Sequence, residues 1–106
     1  MAVLGEITYV KISQAATTTL VTAQAAGLKI RVVELFLVNT TAQTLTFNSG
    51  AGGTALTGAM ALAANGVLVL PFSQQGWFET AAAALLELAQ SGATQVSGAF
   101  GWVAVS

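Results

Sequence analysis

The chain has no histidine, no cysteine and no aspartate, and only seven of its 106 residues are charged. Each absence closes a class of function. Without cysteine there is neither a disulfide framework nor a thiolate site, which suits synthesis in a reducing cytosol. Without histidine, a serine or threonine nucleophile lacks its usual base. The remaining candidates for acid–base work are Glu6, Glu34, Glu79 and Glu87, with Lys11 and Lys29. A pair of carboxylates running glycoside hydrolysis must be held roughly 5 to 10 Å apart, and nothing in their spacing suggests this. No soft ligands and no carboxylate cluster are available for a metal. The expectation is a protein that is not an enzyme and needs no cofactor and no metal.

Basic charge is just as scarce. Lys11, Lys29 and Arg31 are the only cations and the net charge is −1, so no basic patch for nucleic acid is expected. Mean hydropathy is +0.76, which raises the question of a membrane. A spanning helix needs about 20 mostly apolar residues. The best candidate, Ala59 to Phe72, is shorter and is broken by Asn65-Gly66. Met1 to Lys11 lacks a charged region followed by an apolar one, so neither a signal peptide nor a membrane segment is expected.

What is present is a long neutral stretch. No charge falls in the 44 residues between Glu34 and Glu79, and 55% of the chain is hydrophobic. An ordinary soluble domain is about 25% charged, and a folded chain of this mass exposes roughly 5,500 Å². Seven charges cannot cover that area. Either the surface is small and neutral polar, built from the 29 Ser, Thr, Asn and Gln residues, or much of it is buried against other subunits. The length fits a single domain over residues 1–106.

The periodicity is mostly that of strands. Ile7 to Ile12 and Thr17 to Thr22 are rich in β-branched residues, and Lys29 to Asn39 is the strongest strand of the chain. Gln43 to Phe47 alternates, with Leu45 and Phe47 on one side. Asn48 to Gly53 reads as a flexible loop, Ala55 to Leu62 as a strand interrupted by Gly58, and Asn65-Gly66 as a hairpin turn into Val67 to Leu70. Thr94 to Val105 closes the chain, with a bend or bulge expected at Gly98 or Gly101. Turns at intervals of roughly 8 to 12 residues point to an all-β sandwich or barrel. Glu79 to Ser91 stands apart. Its four consecutive alanines and three leucines have helix propensity. As a strand it would point Leu86 and Leu88 inward and Leu85 and Glu87 outward, and the all-β surroundings favour strand.

Three features bear on function. On a regular strand, Lys29, Arg31, Val33, Leu35 and Leu37 share one face, and Ile30, Val32, Glu34, Phe36 and Val38 the other. The second face is core-like except for Glu34. A buried Glu34 needs a partner, such as Arg31 or Lys29 of a neighbouring chain; otherwise it is an edge charge that discourages sheet pairing. Val67 to Leu70 is apolar on both faces, although a two-sheet sandwich buries only one face of each sheet. The second face must meet something else, most simply another copy of the chain. Finally, Tyr9, Trp77, Phe78 and Trp102 offer either a sugar-stacking platform or, more commonly, core and interface residues. Trp77, just after a turn, is the better interface anchor. The interface candidates are therefore Arg31, Glu34, Leu35, Leu37, Val67, Val69 and Trp77.

Leu56-Thr57-Gly58, Asn65 to Phe72 (NGVLVLPF), Gly76 to Thr80 (GWFET), and Gly92 to Val105 with its Val96-Ser97-Gly98 segment carry a resemblance. In these residues the chain resembles small virion proteins of tailed bacteriophages encoded near the capsid genes. Lys11-Ile12-Ser13, Lys29 to Val32 and Phe47 to Gly50 match in style. The resemblance covers most of the chain as a pattern of hydrophobic and turn residues, without a catalytic signature. It implies a jelly-roll-like antiparallel β-sandwich of about eight strands. Such a protein decorates or cements a capsid, or forms a spike, often as a homotrimer seated on the phage major capsid protein. It would be made in the host cytoplasm and end on the capsid exterior. The resemblance favours a strand over Ala83 to Gln90, where a glycine-containing segment is expected and this chain has alanines. The alternative function is a tail- or fibre-associated β domain that binds a host-surface glycan.

Overall fold

The computed structural model describes residues 6–106, and among them the chain forms ten strands and no helix. The strands are β1 (Thr8–Gln14), β2 (Thr18–Val21), β3 (Lys29–Asn39), β4 (Gln43–Ser49), β5 (Thr54–Ala55), β6 (Met60–Leu62), β7 (Val67–Leu70), β8 (Phe78–Glu79), β9 (Leu86–Gln90) and β10 (Val96–Val105). They build two antiparallel sheets. One runs β1-β10-β3-β7 with β8 also on β3; the other runs β2-β9-β4-β5 with β6 also on β4.

The pairing is nested: β1 with β10, β2 with β9, β3 with β7 and β8, β4 with β5 and β6. With β5–β6 and β7–β8 each counted as one interrupted strand, the chain is an eight-strand hairpin rolled across two sheets. That wiring is a jelly roll. The interruptions have local causes. Pro71 lacks an N–H and ends β7, and the turn in which Gly76 N–H donates to Ser73 O separates it from β8.

The core lies between the sheets. Ile12, Ile30, Val32, Leu35, Leu37 and Phe100 enter it from one sheet, and Val21, Leu45, Phe47, Leu86 and Leu88 from the other, all buried. The Phe47 and Phe78 ring centroids are 4.9 Å apart in a tilted pair, within the favourable range for aromatic contacts.

One irregularity decides which residues of β3 reach this core. The register slips between Gly101 and Trp102 of β10, which pair with Glu34 and Val32. Val33 is the extra residue of a β-bulge, so Val33 and Glu34 together oppose Gly101. Ile30 and Val32 point inward before the bulge, and Leu35 and Leu37 point inward after it. This corrects the regular-strand reading. Leu35 and Leu37 are core residues, not interface residues, and it is Phe36 and Val38 that face outward. The bulge lies at Gly101, one of the two glycines where a bend or bulge is expected, but its extra residue sits opposite, on β3.

Two further expectations change. Asn65-Gly66 is not a hairpin between paired strands: β6 lies on β4 and β7 on β3, so the turn carries the chain from one sheet to the other. Asn65 takes φ +61° there. The stretch Asn48–Gly53 is not a flexible loop: Asn48 and Ser49 end β4 in register with β9, and the turn after them is tied down. Gly50 N–H donates to Leu85 O at 2.8 Å, and Glu87 Oε1 accepts from Asn48 Nδ2 at 3.0 Å and from Gly52 N–H at 3.1 Å. Glu87 points away from the core, as the alternation implies, but the loop covers it.

The alanine-rich segment resolves as turn and strand. Leu86 and Leu88 are fully buried on β9, between β2 and β4. A helix would withdraw both from the core and break two ladders, so tertiary packing overrides local propensity. The alanines make the preceding turn, where Ala83 N–H donates to Leu28 O and Ala83 takes φ +57°.

One end of the sandwich is closed by a chain of amides. Gln14 Nε2 donates to Gln90 Oε1 at 2.9 Å and to Leu88 O at 3.1 Å. Gln90 Nε2 donates to Gly92 O and Thr94 O, each at 2.8 Å. Gln43 Nε2 donates to Asn39 Oδ1 at 2.7 Å, and Asn39 Nδ2 reaches Ala63 O at 3.1 Å. These contacts pair most of the buried amide groups here without using any charge, leaving Gln14 Oε1 without a partner.

Two predictions follow from the packing. A left-handed conformation costs an L-residue roughly 1–2 kcal/mol, partly offset by the unfolded-state freedom of glycine. Ala83→Gly should therefore raise the unfolding free energy by about 0.5–1 kcal/mol in urea titration. Gln90→Leu strands the carbonyls of Gly92 and Thr94, and should lower it by about 1–3 kcal/mol.

Candidate functional site

The outer face of the β1-β10-β3-β7 sheet can be read in rows from the strand register. One row holds Tyr9, Gly101 and Glu34; the next Lys11, Ala99, Phe36 and Val69; the next Ser13, Ser97, Val38 and Val67. The face is polar at its β1 edge and apolar at its β7 edge. Phe36 is 55% exposed, Val67 59% and Val69 60%. Their strand neighbours Leu68 and Leu70 turn inward against the core. The outward residues of β3 and β7 form cross-strand pairs, Phe36 with Val69 and Val38 with Val67, in which neither member is covered. β7 is also the end of its sheet path, so one side of its backbone has no strand beside it.

Beside this strip lies a cleft of about 240 Å³, bordered by Tyr9, Glu34, Phe36, Pro71, Ala99 and Gly101 among others. Its floor is β10, where Ala99 and Gly101 have little or no side chain. A Cβ at Gly101 would stand 2.9 Å from Tyr9 Cε1 and 3.2 Å from Cδ1. The Tyr9 ring therefore rests on bare backbone, which only glycine permits. The Glu34 carboxylate, across β10 in the same row, raises the phenol above its ordinary pKa through hydrogen bonding and its charge, with partial desolvation adding to the shift. The bulge is what sends Glu34 to this outer face.

The other candidate residues lie elsewhere. Arg31 Nε stands 3.7 Å from Glu79 Oε2, across the β3–β8 pair, and Arg31 Nη1 donates to Gln74 O at 3.4 Å. Glu34 is half-buried, meets Tyr9 of its own chain and sits on a central strand, neither a buried charge awaiting a neighbour's cation nor an edge charge. Trp77 is about half-exposed, with Nε1 donating to Pro71 O at 2.7 Å. It borders a second, smaller cavity of about 160 Å³ with Phe47, Met60 and Phe78. Phe78 and Trp102 pack against the core.

Of the seven interface candidates, Val67, Val69 and Trp77 present apolar surface to solvent, Leu35 and Leu37 do not, and Arg31 and Glu34 are engaged within the chain. Phe36, Val38, Tyr9 and Gly101 were missed as a group. The signal that locates them was present: a glutamate in an otherwise core-like face is a reason to suspect that the alternation slips.

The Tyr9–Glu34 contact carries a pH dependence. Its folded-state pKa is raised, so the neutral phenol is favoured by folding. That stabilisation is complete below the unfolded tyrosine value of about 10 and is lost as pH rises through the folded value. Alkaline denaturation of Tyr9→Phe should lack this component, measured as unfolding midpoints on both sides of that pH.

No family model matches this chain, and no curated protein and no solved structure matches it either.

Proposed function

We propose that the chain is a structural virion protein of a tailed bacteriophage, a head decoration or cement subunit that self-associates as a homotrimer on the major capsid protein. The observation that carries the reading is the uncharged strip of Phe36, Val38, Val67 and Val69 at the open edge of a sheet. Contiguous exposed apolar surface of this kind marks interaction sites. Its lack of charge suits a partner face that is equally neutral, which this chain itself supplies. A cyclic trimer needs two different patches per chain. The strip is one; exposed Phe72 and Trp77, beyond the end of β7, are suited to be the other.

The phage element of the proposal rests on the resemblance carried by Asn65 to Phe72, Gly76 to Thr80 and Gly92 to Val105. The jelly-roll wiring agrees with it but is shared by capsid, lectin and enzyme domains alike.

Light scattering after size exclusion tests the assembly. The expected result is a trimer that survives high salt, because apolar contacts are not screened as exposed ion pairs are. Val67→Glu should yield monomers, since it places an unpaired charge in the contact. Leu37→Glu should instead unfold the chain. A wild-type monomer at micromolar concentration overturns the self-association, and a coding sequence lying away from virion genes overturns the phage assignment.

A further inference from the structure

The cleft over β10 shares Phe36 and Val69 with the apolar strip, but its other side, formed by Tyr9, Glu34 and the small residues of β10, has no part in the proposed self-association. Tyr9 is 65% exposed, yet its ring lies against the bare backbone of Gly101, and Glu34 lies in the same row on the far side of that glycine. An exposed aromatic on a sheet ordinarily leaves its rotamer free. Here the row Tyr9–Gly101–Glu34 holds the ring across the sheet, with surface still open to solvent.

We propose that this cleft binds a neutral saccharide, with one pyranose ring stacked on Tyr9 over the small residues of β10. The apolar C–H face of a sugar ring matches an aromatic face, and its hydroxyls need polar partners at the rim. Glu34 supplies them. A carboxylate has about four acceptor sites, and Glu34 borders the cleft. The volume of about 240 Å³ falls just below the pockets of about 300–1,000 Å³ that enclose drug-sized ligands. One sugar unit, not a long segment, is the matching size.

Charge excludes the competing flat ligands. Glu34 at the rim repels phosphate and carboxylate, so nucleotides and acidic sugars are disfavoured. Lys11 stands on the same face in the adjacent row, opposite Ala99, which works against a cationic ligand. A neutral group bearing hydroxyls, each both donor and acceptor, suits one anion and one cation near the same cleft. Pro71 and Ala99 complete an apolar surround without adding charge.

The test is an NMR titration of the full chain with glucose, galactose, mannose and N-acetylglucosamine. Tetramethylammonium and inorganic phosphate serve as charged controls. The expected result is millimolar binding of at least one sugar, with shifts centred on Tyr9, Ala99 and Gly101. Tyr9→Ala should weaken it by about tenfold, the loss of roughly 1.4 kcal/mol of stacking. Tyr9→Phe should retain most of the affinity, because it keeps the ring. Glu34→Gln should weaken it severalfold. Tyr9 and Glu34 are outside the core, so these variants keep the wild-type far-UV spectrum. The proposal is overturned if no sugar of the panel moves the Gly101 signal, if Tyr9→Ala binds as wild type, or if tetramethylammonium binds there in place of the sugars.

Discussion

The bulge at Val33 is the constraint from which the functional face of this protein follows. It inserts one residue into the longest strand, so that two successive side chains oppose one on β10. Val33 joins Val103, Val105 and Ile7 in a small second apolar cluster, and Glu34 turns to the cleft. Beyond the bulge, Leu35 and Leu37 enter the core while Phe36 and Val38 emerge. Without it, a strict alternation through Val32, Glu34 and Phe36 would bury a carboxylate and expose two leucines, at a cost of several kcal/mol for the charge alone. One irregular residue thus provides both a dry core and an outward aromatic.

The second organising feature is how a chain with so little charge satisfies its polar groups. It does so with amides and backbone. The Gln14–Gln90 and Gln43–Asn39 contacts close one end of the sandwich and link strands from both sheets. Glu87 spends its carboxylate on a loop of its own chain. Arg31 and Glu79 meet across β3 and β8 as the one ion pair among the described residues. A partly exposed pair of this kind contributes on the order of 0–1 kcal/mol, so hydrophobic burial and neutral hydrogen bonds hold the fold together. The same economy leaves the β7 edge neutral, where a charged side chain is one of the common devices against pairing.

Much of the architecture was legible before any coordinates. Turn spacing and β-branched runs implied two packed sheets, and β3, β4, β7 and β10 lie close to the ranges that the alternation marks out. Val67 and Val69 were recognised as surplus apolar residues because a sandwich has room for only one face of a strand. Leu86 and Leu88 were placed inward for the same reason. The differences have two physical origins. Leu35, Leu37 and Phe36 were assigned to the wrong faces because a period of two carries no record of an inserted residue. Asn65-Gly66 signals a hairpin in the sequence, but positive φ says that the chain turns, not which sheet it turns into.

By itself, the sequence determined the class of this protein: a charge-poor, all-β chain with few groups for acid–base chemistry and more apolar surface than one core needs. Those are properties of composition and local period, and each residue contributes to them independently of its distant neighbours. Only the tertiary structure decided which apolar residues are surplus, and that Tyr9, Gly101 and Glu34 form one row. Their alignment depends on residues 25 and 92 positions apart, on three strands whose register is fixed by pairing. A single-residue slip in any of them would send Tyr9 or Glu34 to the other face.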